Sequence, residues 1–161
     1  MRRLIGAVLA AVALGGGACS AQPAPGAQNA MSFMAQNALT EGVRTLPSGV
    51  QYKVIKSGPA EGAKPGPDDM VKVNYEGSLL TGEVFDSSYK KGKPMVFQVK
   101  NLIPGWVEAL QQMRAGDEWI LYVPPSLGYG AERTGPIPPN SVLVFRLEVL
   151  AVGAAAGPPS S

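Results

Sequence analysis

Four stretches of the chain alternate apolar and polar residues. Val50, Tyr52 and Val54 alternate with Gln51 and Lys53, and Val71, Val73 and Tyr75 with Lys72, Asn74 and Glu76. Trp119, Leu121 and Val123 repeat the pattern, as do Leu143, Phe145, Leu147 and Val149. Successive side chains of a strand point to opposite faces, so each stretch predicts a strand with one buried face. Leu79-Leu80 and Val84-Phe85 flank Thr81-Gly82, a hairpin signal. Met95, Phe97 and Val99 share a face of a further strand, with Pro94 at its start, where no ladder donor is needed.

The helical period is strong in one mid-chain segment. Pro104 suits a first turn; Trp106, Val107, Leu110 and Met113 recur at helical spacing, and Gly116 lies just past the end. A shorter helix is predicted within residues 32–43, capped by Ser32, running through Phe33 to Leu39 and closed by Gly42. Pro124 to Asn140 is a long Pro/Gly-rich loop. Several antiparallel strands with one helix to cover their apolar face make an α+β design. Neither a repeat of the solenoid kind nor heptads interrupt it.

The two ends read differently. Arg2 and Arg3 precede an uncharged run from Leu4 to Leu14, followed by Gly15-Gly16-Gly17-Ala18-Cys19. A positive start, a short apolar run and a small-residue tail are the parts of a secretory signal peptide, expected over residues 1–20. The run is far shorter than the roughly 20 apolar residues that span a bilayer. Leu14 to Cys19 resembles a lipobox, with Gly16 where leucine is usual. Two outcomes stay open: lipidation of Cys19, which tethers the domain, or cleavage after Ser20 or Ala21, which releases it. Export to the periplasm is expected in either case, with an outer-membrane lipid anchor in the first. Residues 21–31 form a Pro/Ala tract read as a flexible linker, and 153–161 a disordered tail. The folded unit is therefore expected over 44–152.

Composition narrows the chemistry. The 161 residues include no histidine and one cysteine, and the formal net charge is +2. No Ser-His-Asp or Cys-His relay can operate within the chain, and no imidazole can hold zinc. A single thiol forbids an intramolecular disulfide and a thiolate cluster. Near-neutral charge gives no footprint for nucleic acid. No metal and no cofactor are expected.

Several separated motifs then become recognisable. Val73-Asn74-Tyr75-Glu76-Gly77 and Gly82-Glu83-Val84-Phe85-Asp86-Ser87-Ser88 resemble the first half of an FKBP-type peptidyl-prolyl cis-trans isomerase. Leu102-Ile103-Pro104-Gly105-Trp106-Val107-Glu108-Ala109-Leu110-Gln111-Gln112-Met113 is similar to the family's central block. Tyr129-Gly130, Ile137-Pro138-Pro139-Asn140 and Leu143-Val144-Phe145 complete the set, so the resemblance covers about residues 44 to 150 in order. Ala35 to Lys56 is similar to exported bacterial Mip-like members, although their long dimerising helix has no room here and a monomer is expected.

The resemblance implies a twisted antiparallel sheet wrapped around one short helix, and a proline-binding pocket. It makes Trp106 the floor and Tyr75, Phe85 and Phe145 the walls, with Met95, Leu102 and Ile137 also lining it. The backbone N–H of Ile103 and the hydroxyl of Tyr129 would bind substrate carbonyls. Asp86 would orient the pocket or stabilise the rotated amide, without acting as a base. Expected partners are X-Pro segments of folding proteins and tacrolimus-type macrolides. Three departures bear on rate and preference: Met95 as a softer wall than an aromatic, Leu127 in place of a small or aromatic residue, and charge in the loop Ala131 to Pro136.

The residues fit that chemistry on their own terms. X-Pro isomerisation breaks no bond; its barrier of roughly 18–20 kcal/mol is amide resonance lost as the C–N bond twists. A dry pocket favours the less dipolar twisted amide and needs neither nucleophile nor metal. The alternative is a non-catalytic module that holds proline segments in the same groove.

Overall fold

The structure, a computed structural model, describes residues 25–154. The signal-peptide reading, Cys19 and nearly all of the expected C-terminal tail lie outside those residues. Two helices, α1 (Pro25–Asn37) and α2 (Pro104–Gln112), accompany seven strands: β1 (Val43–Thr45), β2 (Gln51–Lys56), β3 (Met70–Leu79), β4 (Val84–Ser87), β5 (Met95–Gln98), β6 (Glu118–Val123) and β7 (Leu143–Gly153). They form one antiparallel sheet in the order β1-β2-β6-β7-β3-β4, with β5 also paired to β3.

β3 is the organising strand. One edge pairs along its whole length with β7, from Met70 opposite Gly153 to Leu79 opposite Leu143, with a bulge between Lys72 and Val73. The other edge is shared: β5 takes Met70 to Val73 and β4 takes Glu76 to Ser78. The alternation seen in the sequence sets the inner face. Val71, Val73, Tyr75, Leu121, Val123, Leu143, Phe145, Leu147 and Val149 are all buried in one cluster with Trp106, Ala109 and Leu110 of α2 and with Met113 just past its end. Each fully buried branched side chain contributes about 1.5–3 kcal/mol relative to exposure.

Pro104 opens α2. A Cβ on Gly105 would lie 2.7 Å from Val123 Cγ1, so the missing side chain lets the helix settle on β6. Beyond the helix, Gly116 adopts φ +94° and its N–H donates to Val149 O at 2.7 Å. The adjoining Asp117 carboxylate is buried and accepts the Gly58 and Arg114 N–H groups at 2.6 and 2.9 Å. This clasp ties the 57–63 loop to the turn between α2 and β6.

The N-terminal region differs from expectation. α1 begins at Pro25, inside the stretch read as a linker, and Ser32 lies within the helix rather than capping it. The reason is tertiary. α1 covers the outer face of β2 and β6: Ala30 is buried, and the rings of Phe33 and Tyr122 lie 5.9 Å apart. Asn37 Nδ2 donates to Gln51 Oε1 at 2.9 Å, and Gln51 Nε2 donates to Met34 O at 2.7 Å. Gln51, a polar position of the β2 alternation, is therefore buried, while Val54 on the expected inner face is exposed. Tyr52, between them, stacks on Trp119 at 4.3 Å.

Candidate active site

A cavity of about 460 Å³ opens where β3, β4 and β5 meet the start of α2 and the loop after β6. Trp106, held by the first turn of α2, is its floor. Three rings stand edge-on to it: Phe145 at 5.0 Å, Tyr75 at 5.3 Å and Phe97 at 6.3 Å, at 84°, 81° and 79°. Phe85 meets Phe145 at 5.7 Å and 89°. Perpendicular ring pairs of this kind are favourable and fix shape.

Gly77 makes the wall possible. A Cβ there would lie 2.7 Å from Phe145 Cε1 and 2.7 Å from Phe85 Cζ, well inside van der Waals contact. Both rings lie over the bare backbone of β3 because glycine stands at that point.

The polar rim is small and connected. Tyr75 OH donates to Asp86 Oδ2 at 2.6 Å, and Lys91 Nζ pairs with Asp86 Oδ1 at 2.7 Å. Lys91 also donates to Tyr75 OH at 3.2 Å and sits 5.6 Å from the centre of that ring. Partial burial pushes the Asp86 carboxyl up, but the hydrogen bonds from Lys91 and Tyr75 and the Lys91 charge outweigh it and hold Asp86 below its ordinary range. Burial, reinforced by the bond to Asp86, raises the Tyr75 phenol, and the bond to Asp86 raises Lys91. At neutral pH the triad is carboxylate, phenol and ammonium.

Ser88 fixes Tyr75 from behind. Fully buried, it donates its N–H to Tyr75 O at 2.9 Å and accepts Tyr75 N–H on Oγ at 2.8 Å. On the opposite rim, Ile103 is the residue before α2, at φ −59°, and its N–H donates to no group among the described residues. Tyr129 is 40% exposed at the cavity mouth. Its position comes from a tight ridge in which the N–H groups of Gly128 and Gly130 both donate to Pro125 O.

Tyr75, Phe85, Asp86, Met95, Leu102, Ile103, Trp106, Tyr129 and Phe145 thus meet in one cavity, as the motifs led one to expect. Ile137 does not line it. It is buried in the core cluster and exchanges backbone hydrogen bonds with Thr134. Its burial draws it inward from the loop that the motif placed at the pocket. Glu132 and Arg133 are exposed and also lie off the cavity. Lys91, Phe97 and Asn101 line it unannounced. Phe97 was legible as the neighbour of Met95 on one strand face, whereas Lys91 owes its place to the turn after Ser88.

A sheet curled around one helix, with an aromatic cleft at the helix start, defines the FKBP-like class of α+β domain. The sequence family of FKBP-type peptidyl-prolyl cis-trans isomerases matches residues 61–150, and the domain amino-terminal to such isomerases matches residues 18–54. The chain belongs to the FKBP-type peptidyl-prolyl cis-trans isomerase family. It is 49% identical over 126 residues to a protein named outer membrane protein MIP from Legionella longbeachae, covering 78% of this chain and 53% of that one. It is 46% identical over 127 residues to the peptidyl-prolyl cis-trans isomerase Mip of Coxiella burnetii, covering 78% and 54%. The chain spans about half the length of these relatives. Among solved structures, FkpA from Escherichia coli superposes with a TM-score of 0.76 at 39% identity, covering 80% of this chain and 60% of that one. A peptidyl-prolyl cis-trans isomerase from Pseudomonas syringae gives 0.74 at 36% identity, covering 80% and 93%. No helix among the described residues is long and apolar enough to cross a membrane.

Proposed function

We propose that the chain is a peptidyl-prolyl cis-trans isomerase acting on X-Pro bonds of exported proteins. The observation that carries the reading is the cavity itself: an aromatic cup on Trp106, whose buried indole N–H has no partner among the described residues, with Tyr75 OH, Asp86 and Lys91 bonded to one another in its lining. The proline ring lies on Trp106 between Tyr75, Phe85 and Phe145, with Met95 and Leu102 completing the wall and Ile137 supporting the loop from the core. Ile103 N–H and Tyr129 OH hold the carbonyls on either side of the bond.

Catalysis then follows from solvation. Planar amide is the more dipolar form, and water stabilises it over the twisted form. An apolar cup removes that advantage, so binding is stronger at the transition state than at the ground state. The Asp86 carboxylate, fixed by Tyr75 and Lys91, presents a constant charge at the rim. No proton has to move.

Binding of tacrolimus-type macrolides in the same cup belongs to this proposal. The N-terminal pattern supports export to the periplasm, either with Cys19 lipidated as an outer-membrane anchor or with cleavage after Ser20 or Ala21. Relaxation of the Ala-Pro bond in a tetrapeptide tests the activity: the folded chain is expected to accelerate it and tacrolimus to suppress the acceleration. A well-folded chain that leaves the relaxation rate unchanged overturns the reading.

A further inference from the structure

A second apolar depression lies on the other side of the loop after β6. It encloses about 600 Å³, more than the proline cavity, between α1 and the segment 124–131. Its walls are Met31 and Met34 from α1 and Pro124, Pro125, Gly130 and Ala131 from the loop, and no ionisable side chain lines it. Met31 is 69% exposed, a large apolar side chain left in water at the groove mouth. A smaller hollow of about 200 Å³ shares Ala30 and Asn140 with the groove and extends it towards Leu80 and Pro138.

We propose that this groove binds an uncharged apolar stretch of the same polypeptide whose proline occupies the cavity. The inference rests on the isomerase reading above. Continuity between the two depressions carries it. Tyr129 belongs to the cavity wall, and Gly130 and Ala131 to the groove wall. Tyr129 and Ala131 are two positions apart, so their Cα atoms are at most about 7 Å apart. An extended chain rising about 3.3 Å per residue crosses that ridge in two or three residues. The ridge is firm: Leu127 N–H donates to Pro124 O, Gly130 N–H to Pro125 O and Asn140 N–H to Gly130 O, all within 3.0 Å.

The chemistry of the walls selects the occupant. Ser48, Ser126 and Asn140 are the polar side chains of the lining, so the groove offers neither an anion nor a cation a charge to pair with. Unbranched thioethers repack around apolar side chains of different shape, which suits a site that meets many sequences. Unfolded polypeptide supplies such runs close to prolines.

The test compares peptides carrying one Ala-Pro bond. A Leu-Phe-Leu cluster is placed about four to six residues from the proline, before it or after it, with Ser-Ser-Ser as control. For the full chain, one of the two placements is expected to lower KM about 5- to 10-fold against its serine control. Met31→Glu and Ser126→Glu, both at exposed positions lining the groove, are expected to abolish that advantage while tetrapeptide kcat/KM stays within about twofold. Equal KM for apolar and serine peptides in both placements overturns the proposal. An advantage that survives both variants does so as well. Sedimentation showing a wild-type dimer that Met31→Glu splits assigns the groove to a second copy and also overturns it. If the tetrapeptide itself is not turned over, the isomerase reading fails separately; peptide binding followed by anisotropy then decides the groove, with tighter binding of the Leu-Phe-Leu peptide expected.

Discussion

Replacing Gly77 with alanine tests whether ring placement over β3 sets the cavity. The added Cβ would stand 2.7 Å from Phe145 Cε1 and 2.7 and 2.8 Å from Phe85 Cζ and Cε2. Carbon pairs rest at about 3.5–4.0 Å, so both rings must retreat by about 1 Å. β3 lies behind them and Trp106 packs against Phe145 at 5.0 Å, so the room available to them is the cavity. Overpacking of this kind costs about 1–3 kcal/mol of stability. Misplacement of binding groups by about 1 Å costs up to about 100-fold in rate. Gly77→Ala is therefore expected to lower kcat/KM on an X-Pro tetrapeptide about 10- to 100-fold while the fold survives. Gly82→Ala provides the comparison. Gly82 sits at φ +88° in open space, so alanine there costs roughly 1–2 kcal/mol of backbone strain and touches nothing in the site. Both variants should lose Tm, but only Gly77→Ala should lose rate. Wild-type kcat/KM in Gly77→Ala would refute the reasoning.

Three further expectations follow from the site and its frame. Ile103→Pro removes one N–H at φ −59°, a value proline adopts, and Leu102 before it is already extended. Against Ile103→Ala, it should lose about 3- to 10-fold in kcat/KM with little change in Tm, the worth of one neutral hydrogen bond. Asp86 is held low and Tyr75 and Lys91 are held high, so the rate should be flat from about pH 5 to 9. Stability from Asp86 is present above its unfolded value and lost as pH falls through the lowered folded value; that from Lys91 is lost as pH rises through its raised one. Lys91→Met leaves only the Tyr75 and Ser87 bonds to offset burial, so Asp86 should rise from its lowered value and the acid side of the pH–rate profile should shift upward. An unchanged profile would show that Lys91 does not set the carboxylate charge that the rate depends on. Asp117→Ala leaves two partly buried N–H donors without their acceptor and should cost about 1–3 kcal/mol in denaturant unfolding, with folded-state kcat/KM preserved.

Strands whose inner positions all meet one core were legible as alternation in β3 and β7, whereas β6 carries Ile120 and Tyr122 on its second face and Tyr122 meets Phe33 of α1 there. α2 was legible for the same reason as β3 and β7. Pro104 marks its start, while it ends at Gln112, earlier than Gly116 led one to expect. The beginning of α1 was not. Its Pro/Ala composition carries no strong stripe, and its docking depends on Asn37 and Gln51, two amides that read as surface residues until they are seen to bond each other. Nine cavity residues could be named because their motifs fix them to strand ends and a helix start. Lys91 could not, since its three contacts with Asp86 and Tyr75 arise from the path of an exposed turn. Ile137 shows the converse: motif position placed it near the pocket, and core packing took it away.

The shared edge of β3 has a consequence for how such a site can be altered. Between β4 and β5 the chain leaves the sheet: the turn from Tyr89 to Lys93 holds one internal bond, Gly92 N–H to Tyr89 O, with Gly92 at φ +71°, and otherwise bonds to Ser87, Ser88, Asp86 and Tyr75. No ladder pairing passes through that interval, while Asp86 on one side and Met95 on the other face the cavity. The interval is thus a seam: residues can be added or exchanged there, and the rim of the cleft rebuilt, without disturbing a single strand register. Ser88, which grips both backbone groups of Tyr75, marks where the seam must stop.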